Sequence, residues 1–90
     1  MEAEQVVGDH LRRWRLLLDL PQDLVAERAG ISRATLARLE HGDGARLGSV
    51  LAVARALGIQ DHVLAGFDPL RTDLGQARVR HLGRRRARSQ

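Results

Sequence analysis

Residues 31–42 read ISRATLARLEHG. Ser32 is a good helix N-cap, because its hydroxyl can accept a hydrogen bond from a first-turn amide that has no partner within the helix. Leu36 and Leu39 then share one face, and Arg33, Ala34, Ala37 and Arg38 lie on the opposite one. Gly42, just past the last periodic residue, suits the left-handed stop that ends many helices. The stretch therefore predicts one short amphipathic helix from Ser32 to about Glu40.

The residues before it predict a second short helix. Pro21 is tolerated in a first turn, Asp23 complements the positive end of the helix dipole, and Val25, Ala26 and Ala29 supply an inward face as far as Gly30. Two short helices joined by a glycine-containing turn with Ile31 as its apolar residue make a helix-turn-helix pattern. Further upstream, Val7, Leu11, Trp14 and Leu18 recur at helical spacing, so a first helix is expected from about residue 5 to 19 with these four facing inward.

Downstream, His41 to Ala45 reads as a loop. Leu47, Val50, Leu51, Ala54 and Leu57 predict a fourth helix closed by Gly58, and a short fifth around Gln60 to Ala65 would add Val63, Leu64 and Phe67 to the core. No segment alternates with period two, so no sheet is expected. The expected fold is an all-α, compact five-helix bundle over residues 1–67. Asp68-Pro69 breaks the pattern and marks the expected boundary to a basic extension, residues 68–90. In that extension Thr72 or Asp73 can cap a short helix carrying Leu74, Ala77 and Leu82, whereas Gly75, Gly83 and Arg84-Arg85-Arg86 favour fraying, with the last eight residues expected to be disordered.

Composition narrows the functions available. A chain of 90 residues forms a small domain with a modest core, and dimerisation would add to its stability. The absence of cysteine excludes disulfides, thiolate metal sites and thiol catalysis. No apolar run is long enough to span a bilayer, so a soluble cytoplasmic protein with no membrane association is expected. The net charge is +4, but it is unevenly placed: residues 1–67 hold eight arginines against nine acids, and residues 68–90 hold seven arginines against Asp68 and Asp73. All fifteen basic residues are arginine, which suits bidentate contacts to phosphate and guanine and fits a GC-rich genome equally well.

A helix is one of the few elements that fits the major groove of B-DNA, where base edges show a distinct donor and acceptor pattern. In a helix-turn-helix the first helix crosses the backbone and the second presents its early residues to those edges. Small alanines between Arg33 and Arg38 would let the helix approach the groove floor closely.

Residues from about 7 to 66 resemble the Cro and phage-repressor (XRE-like) type of helix-turn-helix domain. The string LRRWRLLLDLPQDLVAERAGISRATLARLEHG, followed by LGSVLAVARALGI, keeps Arg15, Gln22, Ala26, Gly30, Ser32, Leu39, Glu40, Gly42 and Ala54 to Ile59 in register with that pattern. The resemblance implies a sequence-specific regulator of transcription, a repressor, bound to double-stranded DNA as a homodimer. It implies phosphate contacts from Gln22 and Arg46, base contacts from Arg33, Ala34, Ala37 and Arg38, with Ser32 and Thr35 nearer the sugar-phosphate backbone. It also implies a structural ion pair between Arg15 and Glu40.

The sequence departs from the family pattern in three places. Pro21 and Leu24 stand where polar residues are usual, and Leu24 with Leu16 and Leu17 adds apolar surface that is either a partner patch or ordinary scatter. Gly48 leaves no side chain where relatives sometimes place a basic one. The segment FDPLRTDLGQARVRHLGRRRAR is loosely similar to the extensions of XRE-like regulators that accompany HipA-like kinase toxins. That similarity implies an alternative role, an antitoxin that neutralises a toxin protein and autoregulates its operon; the tail also reads as a DNA arm or a solvated charge run.

Other chemistry finds little support. His10, His41, His62 and His81 lie in different segments without paired spacing, so no metal site is expected. Trp14 reads as a packing residue, and one tryptophan and one phenylalanine are too few aromatics for a single-strand or RNA platform. No paired acids, phosphate loop or activated nucleophile suggests an enzyme, and no cofactor is implied.

Overall fold

The computed structural model describes the backbone of residues 2–89 and the side chains of residues 2–83. Among the described residues the protein is all-helical. In chain order it comprises α1 (Ala3–Leu17), α2 (Gln22–Ala29), α3 (Arg33–His41), α4 (Leu47–Ala56), α5 (Gln60–Phe67), a 3-10 turn at Pro69–Arg71 and α6 (Asp73–Ser89). The chain divides into two compact units, Met1–Gln60 and Asp61–Gln90. The expected boundary at Asp68-Pro69 thus lies inside the second unit, at its 3-10 turn.

In the first unit, α2 packs on α3 and α4, and α1 packs on α3. Leu36, Val25, Val53 and Ala54 are sealed from solvent at the centre, with Leu11, Ala26, Ala29, Leu39, Leu57 and Ile59 closing around them. At about 25 cal/mol per Å2 of apolar surface, each large side chain of this set contributes roughly 1.5–3 kcal/mol by leaving water.

The inward line of α1 differs from the expected one. Gly8, Leu11 and Arg15 are buried, whereas Val7, Trp14 and Leu18 are exposed or partly so. Apolar spacing misplaces this face because its inner line holds a glycine and a charged residue. Gly8 lets the two helices meet closely: a Cβ there would collide with the carbonyl oxygens of Leu39 and Glu40. The inward line of α4 holds better: Ala54 and Leu57 are buried and Val50 and Leu51 half-buried as expected, Val53 joins them, and only Leu47, in the first turn, is exposed.

The second unit opens with α5, none of whose residues is buried, against the expectation for Val63, Leu64 and Phe67; Phe67 is 80% exposed. Apolar residues at helical spacing define a face without saying whether anything covers it. Asp68 caps the 3-10 turn through a bond from the Leu70 amide, 2.9 Å. Thr72 then caps α6, its hydroxyl accepting from Gly75 N at 3.0 Å and donating to Pro69 O at 2.6 Å. Gly75 has to be glycine for α6 to sit against this turn, since a Cβ would run into the Pro69 carbonyl. The α6 backbone continues to Ser89 through Gly83 and the arginine run, where fraying was expected. Arginine is a good helix former, and a single interior glycine costs only about 1 kcal/mol. The side chains of Arg84, Arg85 and Arg86 lie outside the described residues.

Candidate nucleic-acid interface

The turn before α3 is built from backbone bonds. Gly30 adopts the left-handed conformation, φ 71°, so that its own amide reaches Glu27 O and the Ile31 amide reaches Ala26 O, each at 3.1 Å. These bonds satisfy the last carbonyls of α2 and redirect the chain within two residues. Ser32 then caps α3: its Oγ accepts from Thr35 N at 3.0 Å and shares a 2.8 Å hydrogen bond with Thr35 Oγ1. At the far end Gly42, φ 81°, stops the helix while Asp43 N donates to Arg38 O.

With Leu36, Leu39 and Glu40 buried on one side of α3, Arg33, Ala34, Ala37 and Arg38 are left exposed on the other. Arg33 Nη1 contacts Asp23 Oδ1 at 3.2 Å, and both side chains are about two-thirds or more exposed. Arg38 instead borders an open concavity of about 430 Å3, which Ser32, Thr35, Arg46 and Ser49 also line. Arg46 occupies the N-cap position of α4, and no side chain caps that helix. The α4 N-terminus, the positive end of its dipole, thus begins at the rim of a concavity that two arginines border. The concavity suits an anion.

Behind this surface sits a buried polar cluster. Arg15 Nε and Nη2 donate to Glu40 Oε2 and Oε1 at 2.7 and 3.0 Å, a fork-on-fork ion pair between α1 and α3. The remaining edge of Arg15 donates to Leu20 O at 3.0 Å, and Gln22 Nε2 donates to Glu40 Oε1 at 3.0 Å. Gln22, a residue that the resemblance assigns to phosphate, thus belongs to this cluster through one amide hydrogen and is half-buried. Leu20 can present its carbonyl because Asp19 takes a left-handed conformation, φ 56°, at the end of α1. No described buried side-chain nitrogen or oxygen lacks a partner.

Three participants escape sequence reasoning. Asp23 reads there as a favourable charge at a helix start, and nothing in its spacing announces Arg33 as its partner. Ser49 and Gly44, which border the concavity, carry no signal until the loop before α4 is folded against α3. Among the described residues no cluster of His, Asp or Glu could hold a metal ion, and no helix is long and apolar enough to cross a membrane.

Residues 11–63 match the profile of a family described as helix-turn-helix. No curated protein and no solved structure matches the chain at a significant level.

Proposed function

The chain belongs to the XRE-type helix-turn-helix family, a family of DNA-binding transcription regulators rather than enzymes, and from that premise we propose that it is a sequence-specific repressor that inserts α3 into the major groove. The observation that carries this reading is the division of α3 into a buried Leu36, Leu39 and Glu40 side and an exposed Arg33, Ala34, Ala37 and Arg38 side. Arg33 and Arg38 read guanine through O6 and N7, and the two alanines allow close approach. The half-site therefore contains G·C pairs.

Phosphates fix the register without specifying sequence. One sits in the concavity beside Arg46, held by that arginine and by the hydroxyl hydrogen that the Ser32 and Thr35 pair leaves unspent, while Arg38 at the rim turns to the bases. Gln22 has a second amide hydrogen for another. Two copies of the chain bind as a twofold dimer, with their α3 helices about 34–36 Å apart in successive major grooves. The exposed Leu64 and Phe67 of α5 support placing the dimer surface there.

A competition titration tests specificity. A duplex selected from random sequence should resist displacement by a roughly thousand-fold excess of unrelated duplex, the low end of the ratio typical of specific binders. Equal displacement by both would make the protein an architectural DNA binder.

A second reading is that the chain is an antitoxin, with DNA binding as autoregulation. It is favoured by the apolar residues that the second unit leaves exposed, Leu70, Leu74, Val79 and Leu82 among them. Co-expression with the product of an adjacent gene distinguishes the two: a stoichiometric complex that survives gel filtration supports the antitoxin, and separate elution supports the repressor alone.

A further inference from the structure

We propose that Asp23 is a specificity-determining residue that holds Arg33 in the orientation needed to read guanine; the proposal rests on the reading of α3 as the base-contacting helix. Asp23 lies in the first turn of α2, and Arg33 is the first residue of α3. The two meet at 3.2 Å although both side chains are largely exposed, 73% and 67%. A surface pair of this kind contributes little to folding stability, because water screens it and two long side chains must be ordered to form it. Its consequence is therefore directional.

The geometry shows which direction. A guanidinium presents five N–H groups in a rigid fork, and the contact to Asp23 uses Nη1. That leaves the edge formed by Nε and Nη2. The same edge of Arg15 grips the two oxygens of Glu40 at 2.7 and 3.0 Å, which shows what it can do against a pair of acceptors. Guanine O6 and N7 form just such a pair on the floor of the major groove. Asp23 thus anchors Arg33 by the edge that reading does not use. Gln22, the neighbouring candidate for this task, is turned toward Glu40 instead.

Asp23 also works against the wrong ligand. A carboxylate beside Arg33 repels phosphates and so opposes use of this arginine as a non-specific backbone contact, which is specificity by an added repulsion. Removing the charge should broaden sequence choice while tightening binding to unrelated DNA.

The test compares base preferences selected from a random duplex pool by the intact wild-type chain, Asp23→Asn, Arg33→Ala and the double variant. Arg33→Ala identifies the base pair read by Arg33. At that pair Asp23→Asn should lower the preference for guanine about three- to five-fold, leave the other positions unchanged, and strengthen binding to an unrelated duplex. In the Arg33→Ala background the same change should alter nothing at that pair, which a merely structural effect on α2 would not reproduce. A wild-type chain that selects no motif, or an Arg33→Ala variant that changes no position, overturns the reading of α3 and this proposal with it. A motif that depends on Arg33 but not on Asp23, or a uniform loss across all positions in Asp23→Asn, overturns this proposal alone.

Discussion

Arg15 and Glu40, 25 positions apart in sequence, face each other through two parallel hydrogen bonds of 2.7 and 3.0 Å, with side chains only 10% and 4% exposed. Leu20 O and Gln22 Nε2 complete the set, so that the pair ties α1, the start of α2 and the end of α3 together. Burying two charges is costly, and removing one strands the other. Glu40→Ala should therefore lower stability by about 3–5 kcal/mol, whereas replacing both partners by leucine should cost far less. Urea unfolding followed by circular dichroism measures both; a single variant within about 1 kcal/mol of wild type would show that the pair is not a structural tie.

Gly8 and Gly48 both lie inside helices but should respond oppositely to alanine. At Gly8 the added carbon meets the carbonyls of Leu39 and Glu40, so α1 and α3 have to separate, and a loss of about 1–3 kcal/mol is expected. At Gly48 a Cβ meets nothing within 4 Å, and the better helix propensity of alanine should add up to about 1 kcal/mol. Equal effects in thermal unfolding would contradict this packing.

Leu36 has no exposed surface, and it sits on the helix whose other side faces outward with Arg33 and Arg38. Leu36→Ala should cost about 2–5 kcal/mol, the range in which both transfer and cavity terms contribute. The exposed neighbour Ala37→Ser should change stability by less than about 0.5 kcal/mol. Comparing their denaturation midpoints checks which side of α3 is the core side.

Arg46 and Arg38 should separate in DNA binding even though both border the same concavity. Arg46→Ala should weaken binding to every sequence alike and reduce the salt slope by about 0.9, as expected for one lost phosphate contact. Arg38→Ala should cost about 1–3 kcal/mol and relax one base pair. Fluorescence anisotropy over a range of salt concentrations, on selected and unrelated duplexes, distinguishes the two; a position-specific effect of Arg46→Ala would reverse the assignment.

Helix existence was legible from local chemistry. Ser32, Gly30 and Gly42 signal caps and stops whose bonds are all short-range, and the structure places them accordingly. Inner faces were less so, because periodicity assumes that the inner line is apolar. In α1 that line runs through Gly8 and Arg15, which pattern reading sends to solvent. The exposed Leu64 and Phe67 escape for the opposite reason, since an apolar face looks the same with or without a cover. At the candidate interface, the exposure of Arg33 and Arg38 could be read from the spacing of Leu36 and Leu39. The contact from Arg33 to Asp23 could not, because it depends on how the Gly30 turn sets α2 against α3.

Selection from a random pool of duplex DNA at physiological salt, using the full chain, tests the major-groove reading most directly. The expected result is a pseudo-palindrome with G·C pairs in each half-site and half-site centres about 10–10.5 base pairs apart, with the preference relaxed at one pair each by Arg33→Ala and Arg38→Ala. Recovery of no motif, or of a motif indifferent to both arginines, would contradict it.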